Sequence, residues 1–135
     1  MITGIGTDII DIDRVGRAVE REHFRNRVFT AIEQSYCDSK QTNRAASYAA
    51  RFAGKEAFFK ALGTGIVTPL TEVEIVNDEN GRPYIKLHGR ARELIGDGVN
   101  IHVSLSHAKN YATAVCVLES LTEMKYNRRE NKDLE

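Results

Sequence analysis

Phe52-Ala53-Gly54-Lys55-Glu56-Ala57-Phe58-Phe59-Lys60-Ala61-Leu62-Gly63 reads as the closing turns of a long helix and carries one carboxylate among apolar neighbours. Ala45, Ala49, Phe52, Phe59 and Gly63 share a helical face with Glu56. A carboxylate on such a face needs a partner, because burying it unpaired is costly or forces it to neutralise. Lys60, one turn on, is one candidate. The other begins far away in the chain, in Gly4-Ile5-Gly6-Thr7-Asp8-Ile9-Ile10, where Asp8 interrupts an isoleucine-rich run. A divalent cation shared by Asp8 and Glu56 would satisfy both acids.

The flanking sequence supplies the elements that would hold these two segments. Residues 2–10 read as a strand, and Asp11 or Asp13 can N-cap a helix running to about Arg25. Thr30 and Glu33 have capping-box spacing for a short second helix, and Thr42 or Asn43 can cap a long third one ending at Gly63. Runs at 73–78 and 82–87 flank Asn80-Gly81, a hairpin signal because both residues tolerate positive φ. A short helix over 89–96 and strands over 100–106 and 111–119 complete the order. This order predicts an α+β domain, with an antiparallel sheet packed against one long and several short helices. The single domain is expected over residues 1–119 and a polar C-terminal tail over 120–135, where apolar residues nearly vanish. There is no internal repeat and no Pro-rich or Ser-rich linker.

Composition narrows the function. The 135 residues suit one core, and 19 basic residues balance 19 acidic ones. Zero net charge gives no global attraction for nucleic acid, so a charged partner must meet a local patch. Cys37 and Cys116 form no CxxC pair and are expected as reduced core thiols. Neither a leader-like N-terminus nor an apolar run near the roughly 20 residues of a membrane span is present, so a soluble, cytoplasmic protein is expected.

Several motif-like patterns carry little. Gly4-x-Gly6 lacks the third glycine of a dinucleotide fingerprint, Ile9 standing in its place. Gly63-Thr64-Gly65 lacks a P-loop ending; it suits a helix cap and turn, or exposed amides that meet a phosphate. His23, His88 and His102 have no zinc-ligand spacing, and His107 lies at a turn beside Ser104, Ser106 and Lys109. Glu56 and Lys60 could form an ordinary helical ion pair. Two carboxylates with few other ligands suit Mg²⁺ instead, since that ion keeps several waters and accepts substrate phosphates. Arg14, Arg17, Arg21 and Arg25 fall within an arc of about 80° on the first helix, a solvated face or a dock for an acidic protein helix.

Three segments, GIGTDIIDIDRV, FAGKEAFFKALGTG and VSLSHAKNYATAV, resemble in order and spacing the signature blocks of holo-[acyl-carrier-protein] synthase, a 4'-phosphopantetheinyl transferase family. The likeness spans roughly residues 2–118. It implies that Asp8 and Glu56 hold Mg²⁺ and that Lys60 and His107 contact coenzyme A phosphates, with Lys55, Arg51 and Gly63 as further cofactor-side candidates. It also implies that Arg14, Arg17 and Arg21 grip an acidic acyl carrier protein. Homotrimers with active sites between subunits are expected on the same ground. The implied reaction moves 4'-phosphopantetheine from coenzyme A to a carrier serine, with Asp8, Glu56, Lys60 and His107 as catalytic groups and Glu56 as the candidate base. Two other readings use the same residues. A Mg²⁺-dependent phosphate hydrolase or nucleotidyl enzyme would turn over without a carrier protein, and a non-catalytic helix-binding module would ignore Mg²⁺.

Overall fold

The computed structural model of the chain describes residues 1–121. Strand β1 (Ile2–Asp11) opens it, followed by helices α1 (Ile12–Ala18), α2 (Glu22–Val28), α3 (Ala31–Asp38) and the 19-residue α4 (Arg44–Leu62). Strands β2 (Val73–Asn77) and β3 (Pro83–Leu87), helix α5 (Gly89–Ile95), and strands β4 (Val99–His107) and β5 (Tyr111–Ser120) complete it. The expected α+β architecture is present, with its antiparallel strands divided between two sheets. β1, β5 and β4 form a three-stranded sheet in that order, and β2 pairs with β3. No helix among the described residues is long and apolar enough to cross a membrane. The expected polar tail lies outside the described residues from position 122 onward.

Local chemistry explains most boundaries. Asp11 N-caps α1 by accepting from Arg14 N at 3.0 Å. Thr30 and Glu33 form the anticipated capping box on α3, and Gly63, at φ 81°, closes α4 in the left-handed conformation. In the β2–β3 turn only Gly81 takes positive φ, at 80°, whereas Asn80 does not. Asp78 Oδ1 instead accepts from the amides of Asn80 and Arg82, both at 2.9 Å, so an aspartate-braced turn replaces the expected Asn-Gly geometry. The first helix is also shorter than expected. It ends at Ala18, and Arg25 belongs to α2, where its guanidinium turns inward onto Val19 O and Gln34 Oε1.

Helix α4 runs through the centre and is buried on most sides. Ala53, Ala57, Phe58 and Phe59 pack with Val73, Ile75, Ile85, Ala114, Cys116 and Leu118 between the helix and both sheets. A second cluster, including Val15, Val19, Phe29, Cys37, Tyr48 and Ala49, fills the space beneath α1, α2 and α3. Both cysteines are buried and free, and burial pushes the Cys116 thiol up to about 12. Phe52, Glu56 and Lys60, spaced by one turn, leave an open stripe along the C-terminal half of α4.

The face of β1 that meets α4 is the reverse of what its isoleucines suggest. Gly4, Gly6 and Asp8 are in register with Leu118, Cys116 and Ala114, whose side chains are buried against the helix. Ile5 and Ile9 point the other way and are each 65% exposed. At positions 4 and 6 only glycine fits: a Cβ on Gly6 would lie 2.1 Å from Ala57 O, and one on Gly4 2.1 Å from Ala61 O. The apolar strand face is therefore left open and the small residues let the backbones touch.

Replacing Gly6 with alanine must separate β1 from α4, since the obstructing atoms are backbone. Gly6→Ala is expected to destabilise the fold by at least about 1–3 kcal/mol, read as a lowered urea midpoint with unchanged m-value.

Candidate active site

The glycine contact brings two remote acids into one cleft. Asp8 follows Gly6 on β1, Glu56 stands on the open stripe of α4, and both line a cleft of ≈ 730 Å³. Burial raises the Glu56 pKa first, the Asp8 charge raises it further, and Lys60 opposes both. The ordinary Glu56–Lys60 helical pair is not what forms. Lys60 Nζ donates to Asp8 Oδ1 at 3.0 Å, spanning strand and helix.

Among the described residues no group of three or more His, Cys, Asp and Glu side chains converges as a metal cage. Two neighbouring carboxylates, one of them with its proton affinity raised by burial and by the other's charge, nevertheless suit Mg²⁺, which takes one or two carboxylates and completes its shell with water and phosphate oxygens. The donor set fits that ion and does not resemble a site that encloses a metal in protein ligands alone.

The same cleft extends along α1. Arg14, Arg17 and Arg21 line it with Val15 and Ala18, and all three arginines are exposed. Its apolar wall comes from Phe24 and Phe52, whose ring centroids are 6.4 Å apart, with Arg21 5.9 Å above the Phe24 ring. These aromatics were not among the sequence candidates. Phe52 was legible as the residue one turn before Glu56, whereas Phe24 reaches the cleft only because the chain bends between α1 and α2.

Lys55 corrects an expectation. It was a candidate for the cofactor side, yet its side chain is fully buried, with Nζ 2.7 Å from Glu33 Oε1 and 2.9 Å from both Leu70 O and Val73 O. All three ammonium hydrogens are thus engaged inside the core, and Lys55 is a structural residue. Glu33 is equally committed: Oε1 also accepts from Thr30 N and Oε2 from Ile75 N, both at 2.9 Å.

His107 lies apart from the acids. It is in register with Ala112 on β5, while Asp8 is in register with Ala114 on the opposite side of that strand. Two strand spacings and two residues separate their backbones by roughly 12 Å. His107 instead lines a pocket of ≈ 320 Å³ with Arg51, Tyr36, Lys40, Asn43 and Asn77. Arg51 is 3% exposed, stacks 4.0 Å from the Tyr36 ring centroid, and its guanidinium binds Asn77 Oδ1 and Ser47 Oγ. Its buried Nε has no partner among the described residues. Lys40, Arg51 and His107 make this a cationic pocket, suited to an anion. Gly63 stands exposed beyond α4 with nothing within 4 Å of where a Cβ would point.

Comparison with known proteins places these features in a family. Residues 4–116 match the model of the 4'-phosphopantetheinyl transferase superfamily. The holo-[acyl-carrier-protein] synthase of Geobacter metallireducens is 48% identical over 88% of this chain and 98% of its own length. That of Ruminiclostridium cellulolyticum is 46% identical over 84% of this chain and 90% of its own. Among solved structures, a Bacillus anthracis holo-(acyl-carrier-protein) synthase in complex with CoA (3',5'-ADP) superposes with a TM-score of 0.75 at 35% identity, covering 89% of this chain and 98% of that one. Matches of this extent and identity, on a fold that juxtaposes Asp8 and Glu56, mean that this chain belongs to the holo-[acyl-carrier-protein] synthases, enzymes of the 4'-phosphopantetheinyl transferase superfamily.

Proposed function

We propose that this enzyme transfers 4'-phosphopantetheine from coenzyme A to a serine of apo acyl carrier protein, in a Mg²⁺-dependent reaction that releases adenosine 3',5'-bisphosphate. The holo-carrier protein would serve fatty acid biosynthesis in the cytoplasm. The observation that carries this reading is the Asp8–Glu56 acid pair at one end of an arginine-lined cleft. The coenzyme A complex of the Bacillus anthracis relative supports the donor substrate.

Asp8 and Glu56 would hold Mg²⁺, which bound there supplies charge neutralisation at the diphosphate of coenzyme A. Glu56 takes the proton from the serine Oγ as that oxygen bonds to the phosphorus bearing pantetheine. The bond broken joins this phosphorus to the bridging oxygen, which leaves on adenosine 3',5'-bisphosphate. Lys60 and His107 bind phosphate oxygens and stabilise charge gathering on the leaving group; Arg51 adds a fixed donor, and the Gly63 amide region borders the pantetheine phosphate. Arg14, Arg17 and Arg21 orient an acidic carrier helix so that its serine enters beside Glu56, with Phe24 and Phe52 as an apolar footing.

Two features of the monomer support the homotrimer reading. Ile5 and Ile9 belong to an open sheet face that also carries a hollow of ≈ 450 Å³ lined by Thr7, Ser104, Ser106 and Thr113 and reaching Asp8 and Lys60. A copy seated there would cover the apolar face and bring its own Arg51–His107 pocket toward the acids.

Intact-mass spectrometry of apo acyl carrier protein incubated with enzyme, coenzyme A and Mg²⁺ should show one added phosphopantetheine, and Asp8→Ala should slow it at least about 100-fold. Product formation in EDTA, or coenzyme A turnover without carrier, would sink the reading. In a shared-site trimer, Asp8→Ala and His107→Ala enzymes, each defective alone, should regain about a quarter of wild-type activity after unfolding and refolding together, from random pairing of protomers. No recovery would place each whole site within one chain. Glu56→Gln should abolish transfer yet raise the metal-free Tm at pH 7 by no more than ~4 °C. The sign follows from a folded pKa above the unfolded one: the stability contribution is full at low pH and lost as pH rises through the folded pKa, so the gain should vanish below about pH 4.5.

A further inference from the structure

Lys60 has one ammonium and two kinds of anion within its reach. In the folded chain it donates to Asp8 Oδ1 at 3.0 Å, with its own side chain 54% exposed and that of Asp8 only 16% exposed. The base of its stem is fixed, since a Cβ on Gly6 would lie 2.9 Å from Lys60 Cβ. Beyond that pivot the stem lies on the solvent-facing stripe of α4, where no packing fixes its rotamers.

A cation on the Asp8 and Glu56 carboxylates and an ammonium on Asp8 Oδ1 would stand within a few ångströms of each other. Like charges so close in a half-buried cleft repel, so one must yield. The half-buried Asp8 is carried on a paired strand and cannot follow Lys60 outward, whereas Lys60 can leave. On its exposed side it lines the ≈ 450 Å³ hollow that Asp8 also borders, where the diphosphate of coenzyme A would offer a denser negative charge than a single carboxylate.

We propose that Lys60 is an exchangeable counter-ion for Asp8: it holds the carboxylate in place before the divalent cation binds, is displaced by that cation, and then pairs with the coenzyme A diphosphate. Cation and coenzyme A binding are thereby coupled through one side chain, each favouring the position of Lys60 that the other requires. Lys60 serves first as a positioning residue for a metal ligand and then as a phosphate-binding group. The inference rests on Asp8 and Glu56 being the divalent cation site.

The test is a Mn²⁺ titration of the full chain followed by electron paramagnetic resonance, with and without coenzyme A, on wild-type, Lys60→Met and Asp8→Asn proteins. Lys60→Met should bind Mn²⁺ about 2- to 5-fold more tightly without coenzyme A, the factor expected for losing one partly exposed pair. The strengthening of Mn²⁺ binding by coenzyme A should fall by a similar factor in that variant. Mass-resolved acetylation at constant pH supplies a second readout: Mn²⁺ should raise the labelling rate at Lys60 in wild type and leave it unchanged in Asp8→Asn. Asp8-dependent Mn²⁺ binding that is equal in wild type and Lys60→Met, or Lys60 labelling indifferent to Mn²⁺, would overturn the exchange while leaving the cation site standing. Mn²⁺ binding unaffected by Asp8→Asn, or none at millimolar ion, would remove the cation site itself and the exchange with it.

Discussion

The site depends on a backbone contact. Where β1 crosses α4, the peptide groups of Ala57 and Ala61 lie so near Gly4 and Gly6 that no side chain fits between them. Helices normally keep a sheet at a distance set by interposed side chains, about 10 Å between layers. Removing those side chains at two alternate positions lets strand and helix close together. Asp8, the next residue on the same face, is thereby delivered to Glu56 and Lys60 across the narrowest part of the interface. The same contact forces Ile5 and Ile9 outward, because alternation allows the glycines and the isoleucines only opposite faces. The active site and the exposed apolar face are thus two results of one packing decision.

A second constraint keeps α4 at the right height against β2. Lys55 is buried with three oxygen acceptors, and Glu33 accepts from Lys55 and from two backbone amides. Burying an ion pair is unfavourable unless nearly every polar atom is engaged, and here the geometry meets that demand. Burial still lowers the Lys55 pKa, with Glu33 pulling the other way. The pair ties the start of α3 to the middle of α4 and the first residues of β2, the three segments around the core beneath the cleft. Lys60 stands five residues further on, about 140° around the helix, and this rotation separates a sealed structural cation from an exposed one.

Charge in this small domain is sorted by exposure. Arg14, Arg17 and Arg21 face solvent over an aromatic wall, where long-range attraction can steer an acidic partner. Arg25, in series with them along the sequence, is spent on Val19 O and Gln34 instead. Arg51 is buried and stacked on Tyr36, with its guanidinium bound to Asn77 and Ser47. Zero net charge at the level of the whole chain therefore coexists with one exposed arginine face and one cationic pocket.

Much of this was written locally. The Thr30–Glu33 cap, the Gly63 stop, the strands about Asn80-Gly81 and the long helix bearing Glu56 follow from short-range rules of capping, turn geometry and periodicity, and the three quoted segments carry the family by their order. Asp8 and Glu56 were legible as a pair because each is a charge out of place in an apolar run. Tertiary structure decided the rest. Lys55 and Lys60 have nearly the same neighbours in sequence, and only the position of Glu33 and of β1 makes one a core residue and the other a partner of Asp8. Which face of β1 is inside could not be read from hydrophobicity, since the rule that apolar residues point inward fails where a helix comes too close for them. His107 and Asp8 are each plain in the sequence, yet their separation across the sheet is a property of strand order, which no local pattern encodes. Short-range chemistry determines what each segment is; which charges meet is decided by long-range packing, because it alone sets the distances over which they act.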